Sequence, residues 1–248
     1  MKISLNVAVV SIAMLGAVNS ASAADVINIS GITTTGDVTV ATDYRFRGVS
    51  QTSNNPAIQG GINFNHDSGV YLSLWASNVS FAGSIEGDAT LGFATALNDA
   101  TTLDVGYIRY GYEGSGSPQP DFNEFFGQLS YSGLLMDGDT VTGGVNYSPD
   151  YFAQTDNFWY ISGSYAAPIA DTGFGVVASV GYNKFKDATA MATAAGGDGE
   201  DDSYIDYKLG TTFGVQGLTA ELSWIGTTID GGAKDYDNGV VLSLSKSF

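Results

Sequence analysis

The chain has 248 residues, of which 33 are Gly, with no Cys and a single His. Asp and Glu number 26 against 9 Lys and Arg, so the formal net charge is −17, although charged residues make up only 14% of the chain. This balance excludes nucleic-acid binding by bulk electrostatics. The Cys and His counts exclude disulfides, thiolate chemistry and His-pair zinc sites. With 44% hydrophobic residues, the composition also differs from that of an acidic disordered protein.

The N-terminal segment, residues 1–23, has the layout of a secretory signal peptide. Lys2 gives a positive start, residues 3–18 are mostly apolar, and Ala21-Ser22-Ala23 is a small-residue cleavage pattern. The apolar stretch is shorter than the roughly 20 residues that a membrane-spanning helix needs. We therefore expect residues 1–23 to be a cleaved signal peptide, residues 24–36 to be a periplasmic N-terminal segment, and residues 37–248 to form the folded domain.

Beyond this segment, apolar and polar side chains alternate with a period of two, which is typical of β-strands. In the first such stretch, residues 37–50, Tyr44 and Phe46 fall on the apolar face, which we expect to contact lipid. The pattern recurs about twelve times up to the C-terminal Phe248. The phase shifts once, at Ile108 and Tyr110, which predicts a β-bulge near residues 106–109. No stretch longer than ten residues has a convincing helical period.

The connections between these stretches alternate in length and polarity. Short turns rich in Asn, Asp, Gly or Pro are predicted at residues 65–69, 98–100, 133–139, 167–173 and 214–217. More polar, longer links are predicted at residues 51–56, 78–84, 113–121, 149–156, 184–203 and 228–238. Outer-membrane barrels have short periplasmic turns and long outer loops. The sequence thus predicts an all-β fold, a transmembrane up-and-down antiparallel β-barrel of about 12 strands.

A soluble β-sandwich is the alternative fold, but three features favour the barrel. The polar faces carry mostly uncharged side chains, whereas the outer faces of soluble strands are rich in Lys and Glu. Closing the sheet also removes exposed edges. Aromatic residues cluster near strand ends, as in the interfacial girdles of membrane barrels: Tyr44/Phe46, Tyr107/Tyr110/Tyr112, Phe125/Phe126, Tyr147/Tyr151/Phe152 and Phe158/Trp159/Tyr160.

Several motifs resemble those of the TorF porin family. The most specific is Thr42-Asp43-Tyr44-Arg45-Phe46-Arg47-Gly48-Val49-Ser50-Gln51, followed by Pro56-Ala57-Ile58-Gln59-Gly60-Gly61. Residues 74–79, 147–152 and 206–210 are similar to later motifs of that family. The resemblance implies an outer-membrane barrel that passes small solutes. The final Phe248, preceded by apolar residues at alternate positions, resembles the signal that the barrel assembly machinery reads.

The charged and polar side chains of the strands are expected to point into the lumen, because a charge on the lipid face costs roughly 2–4 kcal/mol at the midplane. The predicted pore lining and constriction consists of Asp43, Arg45, Arg47, Gln59, Asn63, Glu86, Asp88, Arg109, Asp206, Lys208 and Glu221. Two interpretations stay open. These residues form a constriction that selects solutes by charge, or a salt-bridged network that fills a narrow barrel.

The predicted function is therefore a porin-like channel of the outer membrane for passive diffusion of small hydrophilic solutes, with a non-conducting structural or surface-interaction barrel as the alternative. The single His66 lies in a predicted turn, which suits no outer-membrane hydrolase arrangement, so we expect neither an enzyme nor a cofactor or metal. The expected partners are outer-membrane lipid and lipopolysaccharide, the barrel assembly machinery, and small solutes. The acidic loops at residues 198–202 and 230–238 are interpreted as solvated, with divalent bridging to lipopolysaccharide as the alternative.

Overall fold

The computed structural model describes residues 28–29, 31–113 and 120–248, so the predicted signal peptide lies outside the described residues. The strands are β1 Asn28–Ile29, β2 Ile32–Ala41, β3 Arg45–Phe46, β4 Val49–Ser50, β5 Ala57–His66, β6 Val70–Asn78, β7 Ile85–Ala96, β8 Thr101–Tyr112, β9 Phe122–Ser132, β10 Thr140–Ser148, β11 Phe158–Pro168, β12 Phe174–Phe185, β13 Ser203–Val215, β14 Leu218–Thr227 and β15 Gly239–Ser247. The helix α1 spans Ala188–Ala194, and 3₁₀ turns span Ala82–Ser84, Phe152–Gln154, Ala170–Thr172 and Lys234–Tyr236.

Twelve antiparallel strands, β2 and β5 to β15, close into an up-and-down barrel. Each strand pairs with its neighbours in the chain, and β2 completes the ring by pairing with both β5 and β15. At this seam, Gly36 and Phe248 exchange two backbone hydrogen bonds of 2.8 and 2.9 Å. A side chain at Gly36 would collide with the Phe248 ring, whose Cε2 lies 2.7 Å from the position of a Cβ. The predicted fold class and strand number are confirmed.

Two predicted details of the strands are wrong. The first barrel strand runs from Ile32 to Ala41, not from residue 37 to residue 50. The barrel therefore begins before the predicted boundary at residue 37, and the chain leaves the sheet well before residue 50. The predicted bulge in β8 is also absent, because β8 pairs without interruption with β7 and β9. The phase shift arises because Ile108 and Tyr110 are apolar side chains that point into the lumen.

The connections lie at two distinct ends of the barrel. At the short-turn end the tightest connection is 216–217 and the longest is 133–139, whereas the long-loop end ranges from the short link 79–84 to the extended loop 186–202. That longest loop contains α1, which the sequence did not predict. Asp187 caps this helix by accepting a hydrogen bond of 2.9 Å from the backbone N–H of Ala190. No helix among the described residues is long and apolar enough to span a membrane.

The two faces of the sheet are inverted relative to those of a soluble protein. Large apolar side chains point outward and stay uncovered, as in Leu209, which is 61% exposed. Tyr107 and Phe125 pack together on this outer face, as do Tyr147 and Trp159, which fits the predicted girdle. Much of the predicted girdle is wrong, because seven of its rings are buried: Tyr44, Tyr110, Tyr112, Phe126, Tyr151, Phe158 and Tyr160.

Inward-facing glycines make room for some of these rings. The Tyr160 ring of β11 lies over Gly181 of β12, where a Cβ would be 2.3 Å from the ring and from its hydroxyl. The same hydroxyl donates a hydrogen bond of 3.3 Å to Asp206. A side chain at Gly181 would displace this ring and break the contact with Asp206.

We therefore expect Gly181→Val to destabilise the barrel by about 1–3 kcal/mol, the usual cost of overpacking. Gly163→Val is the matched control, since a Cβ at Gly163 meets nothing within 4 Å. Urea unfolding of the refolded protein in lipid vesicles measures both variants. Equal unfolding midpoints for the two variants would contradict the packing of Tyr160 on Gly181.

Candidate functional site

The chain between β2 and β5 folds into the barrel. Residues 42–56, here called the plug hairpin, contain β3 and β4 joined by a two-residue turn. Both turn residues, Arg47 and Gly48, have positive φ angles of 48° and 82°, as a type I′ hairpin turn requires. The side chains of the plug hairpin reach strands on several sides of the lumen, from β6 to β11.

Arg47 at the tip of the plug hairpin forms a buried two-pronged ion pair with Glu124 of β9. Both Nη1–Oε1 and Nη2–Oε2 distances are 2.8 Å, and the side chains are only 3% and 0% exposed. Asn146 donates a further hydrogen bond of 2.9 Å to Glu124, and the Tyr151 hydroxyl accepts one of 3.2 Å from Arg47. These partners meet most of the hydrogen-bonding capacity of the two charged groups, although Arg47 Nε is buried without a partner. The contacts offset much of the desolvation cost that burial imposes.

Aromatic rings surround the guanidinium. Its Cζ lies 4.3 Å from the centroid of Tyr160, 4.7 Å from that of Phe46 and 4.9 Å from that of Phe158. Burial alone would lower the pKa of Arg47, but the neighbouring carboxylate of Glu124 raises it well above the usual value. The plug hairpin is thus held by a permanently charged group in an aromatic box.

Asp43 and Arg45 stabilise the base of the plug hairpin instead of lining the lumen. The Asp43 carboxylate accepts hydrogen bonds from Arg45 Nε at 2.7 Å, Ser50 Oγ at 2.6 Å and Thr52 Oγ1 at 2.8 Å. Arg45 also donates to the Asp237 carbonyl at 2.6 Å, which ties the hairpin to the last loop of the long-loop end. Their placement on a lumen-facing strand was wrong, because the sheet ends at Ala41.

Tyr44 and Phe46 point into the lumen, so their predicted lipid contact is wrong. The Tyr44 hydroxyl donates to Glu86 at 3.2 Å, and its ring meets Trp75 edge to face at 5.4 Å between centroids. The Phe46 ring meets Tyr110 at 5.7 Å. Outside a strand, the alternation of side chains no longer separates the two faces of the barrel.

The plug hairpin rests on an aromatic cluster that fills the long-loop half of the lumen. The rings of Tyr110 and Phe122 stack at 4.3 Å, and those of Tyr151 and Phe158 at 4.0 Å. The loops above are joined by the Lys186–Asp156 ion pair of 2.7 Å. The hydrogen bond from Lys186 lowers the pKa of Asp156 to about 2. This half of the barrel is therefore packed like a protein core.

The short-turn half of the lumen is lined differently. Many of its inward side chains are small and polar and remain partly exposed: Thr35, Gln128, Ser130, Thr142, Ser162, Ser164, Ser179, Ser243 and Ser245. Tyr71, Ala94 and Val177 also face inward in this half, and they are buried. Lys208 and Glu221 form an ion pair of 2.9 Å across neighbouring strands in this lining. The polar, water-accessible half of the lumen thus ends at the plug hairpin.

The remaining predicted site residues divide into two groups. Those that point into the lumen are Gln59, Asn63, Glu86, Asp88, Asp206, Lys208 and Glu221. Arg109 does not, because it lies on the outer face of β8 with 45% of its side chain exposed and pairs with Asp121 at 2.7 Å. Near the end of the strand, its long side chain reaches the polar loop beyond the apolar belt.

Sequence reasoning missed Glu124, the partner of Arg47. It alternates with Phe122 and Phe126 on one face of β9, and all three side chains are buried in the lumen. The sequence contains one signal for this residue: a carboxylate that shares a strand face with two aromatic residues. Such a charge would be unfavourable if that face contacted lipid. In the described part of the chain, no three His, Cys, Asp or Glu side chains group closely enough to hold a metal ion.

Comparisons with known proteins identify a family that matches this chain and solved structures with a similar fold. A family model described as "Bacterial protein of unknown function (Gcw_chp)" matches residues 26–248. The fold is similar to that of the KdgM porin, with a TM-score of 0.58 at 8% identity over 86% of this chain and 99% of that chain. It is also similar to the NanC porin, with a TM-score of 0.54 at 11% identity over 86% and 97% of the two chains. No curated protein matches the sequence. The matched family does not carry the TorF name, so that finer assignment rests on the motifs alone.

Removing Arg47 should release the plug hairpin. The chain has no Cys, so Val49→Cys places a unique thiol on the hairpin, where Val49 packs against the buried cluster. Loss of one partner from a buried ion pair costs about 3–5 kcal/mol. We expect Arg47→Ala to speed maleimide labelling of this thiol on the order of a hundredfold.

The matched control is Arg109→Ala, which removes an outward-facing arginine and should leave the labelling rate unchanged. Equally slow labelling in the Arg47→Ala and Arg109→Ala proteins would show that the ion pair does not hold the hairpin in place.

Proposed function

We propose that this chain, which belongs to the Gcw_chp family, is a porin-like channel of the outer membrane for small hydrophilic solutes. In this proposal the plug hairpin is the element that opens and closes the lumen. The short turns face the periplasm and the long loops face the outside. The TorF-like motif at residues 42–51 forms most of the plug hairpin.

The outer surface supports a position in the membrane. Its uncovered apolar belt includes Leu209, Ile58 and Val240, and in a closed barrel every strand has two partners. Such a surface in water would be an aggregation hazard, whereas lipid matches it. The signal-peptide pattern of residues 1–23 supplies the export that this location requires.

The observation that carries the channel proposal is the contrast between the two halves of the lumen. One half is lined mostly by polar, partly exposed side chains, and the other is closed by a loop segment whose contacts with the wall are noncovalent. A barrel of eight strands is filled by its own side chains, whereas one of sixteen encloses water. A barrel of twelve strands lies between these two sizes. The position of the plug hairpin therefore determines whether the lumen is filled or encloses water.

A second candidate, a closed barrel without conductance, is favoured by the aromatic cluster. Phe122 and Phe158 are almost completely buried, and their stacking on Tyr110 and Tyr151 fills the lumen behind the plug hairpin. In this case the polar half would be a blind cavity, and the barrel would act through its loops.

Planar-bilayer recording separates the two candidates. We expect brief, infrequent openings for the native protein and a large increase in open probability for both Arg47→Ala and Glu124→Gln, since each breaks the buried ion pair. Arg109→Ala serves as the matched control and should behave as the native protein does. Silence from heat-modifiable, correctly folded Arg47→Ala and Glu124→Gln proteins would refute the channel and favour the closed barrel.

A further inference from the structure

The connection between β9 and β10, here called the apolar turn (residues 133–139), presents large apolar side chains. Leu134, Leu135 and Met136 follow one another and are each at least half exposed, with Leu135 at 73%. Each of the other four connections at the short-turn end contains at most one large apolar residue. Three neighbouring apolar side chains are unfavourable in water, so the apolar turn is better suited to an apolar environment than to the periplasm.

A single carboxylate fixes the shape of the apolar turn. Asp139 accepts hydrogen bonds from the backbone N–H groups of Leu134 and Leu135, both at 2.8 Å, and of Met136 at 3.1 Å. The Tyr165 hydroxyl of β11 also donates to this carboxylate, at 3.3 Å, and Asp139 is fully buried. The backbone that carries the three apolar side chains is therefore held by three hydrogen bonds to one side chain.

The contact between Asp139 and Tyr165 lies on the outer face of the barrel. Asp139 directly precedes β10 and has the parity of Val145, an outward and exposed residue of that strand. Tyr165 has the parity of Ile161, which is the register partner of Val145 on β11. Ala167 is the next outward position of β11, yet it is only 5% exposed. The apolar turn is thus folded against the outer surface and does not extend straight into the periplasm.

The strand that leads to the apolar turn leaves the apolar belt incomplete. On β9 the outward apolar face runs from Phe125 to Tyr131, and the outward position before Phe125 is the polar Asn123. With a rise of about 3.4 Å per residue and a tilt of about 40°, this stretch covers about 15 Å along the barrel axis. The apolar belt of a membrane barrel is about 25 Å tall. The exposed side chains of the apolar turn continue the belt where β9 ends.

We infer that the apolar turn inserts Leu134, Leu135 and Met136 among the acyl chains of the periplasmic leaflet and anchors this end of the barrel in the membrane. Lipid is the partner because the apolar turn continues the belt, and apolar side chains are more stable among acyl chains than in water. Backbone groups enter lipid only when their hydrogen bonds are satisfied, and Asp139 accepts those of the three inserted residues. The inference goes beyond the proposed channel, since it depends on the position of the barrel in the membrane and not on conductance.

Quenching of a fluorophore by spin-labelled lipid tests the insertion. The chain has no Cys, so Leu135→Cys carries a single NBD label in vesicles of phosphatidylcholine with or without a nitroxide on the acyl chain. Leu209→Cys on the belt is the positive control, and Asp99→Cys, an exposed polar position in the neighbouring short turn, is the matched control. We expect a severalfold larger loss of NBD emission at Leu135 than at Asp99. Equal losses at these two positions, with Leu209 quenched, would overturn the inference and leave the barrel in the membrane. An unquenched Leu209 label would overturn the membrane position and the inference with it.

Substitution of Asp139 tests how the apolar turn is held in lipid. Asp139→Ala leaves three backbone N–H groups without their acceptor, and such groups are costly in lipid. We therefore expect the quenching at Leu135→Cys to fall to the level seen at Asp99→Cys. Asp171→Ala is the matched control, because it removes an exposed acid from another short turn and should leave the quenching unchanged. Heat-modifiable migration on a gel verifies that both variants are folded. Undiminished quenching in folded Asp139→Ala protein would overturn the assignment of Asp139 as the residue that permits insertion.

Discussion

The Arg47–Glu124 ion pair is the interaction on which the rest of the lumen depends. It joins the tip of an inward-folded hairpin to the barrel wall through two hydrogen bonds of 2.8 Å. Burial of two charges is costly unless their hydrogen-bonding capacity is met. Here Asn146 and Tyr151 meet much of it, and three rings enclose the guanidinium. The aromatic cluster then packs around a fixed hairpin, and the polar half of the lumen ends at that surface.

The distribution of charge explains the unusual composition. Lipid-facing strand surfaces exclude charge, so the chain has few charged residues for its length. Inside the barrel, most acids have a matched donor or cation, as Glu221 has Lys208.

The sequence predicts the barrel well because closure in lipid imposes a strict period of two on each strand. The strand number and the alternation of the connections follow from that rule, and the inward direction of Glu86 and Asp206 follows from the cost of charge in lipid. The rule stops where the chain leaves the sheet. After Ala41 the same alternation continues in the letters of the sequence, yet Tyr44 and Phe46 turn inward because the hairpin folds back into the lumen. Arg109 was misplaced for a different reason, since a long side chain near a strand end can face outward and still reach polar partners.

Glu124 shows what no single-strand pattern could reveal. Its role depends on a contact with Arg47, which is 77 residues away in the chain, and on an inward face rich in aromatic rings. Local periodicity reports which side of a strand is apolar. It does not reveal that the plug hairpin, a segment outside the barrel strands, packs against the inward aromatic side chains and completes a buried core.

The most direct test of this account is a reversible tether between the plug hairpin and the wall. Arg47→Cys with Glu124→Cys removes the ion pair from a chain that has no other thiol, and a short, reducible bis-methanethiosulfonate reagent restores the link. The account predicts a silent bilayer while the tether is intact and sustained conductance after reduction. Identical current traces before and after reduction would contradict it.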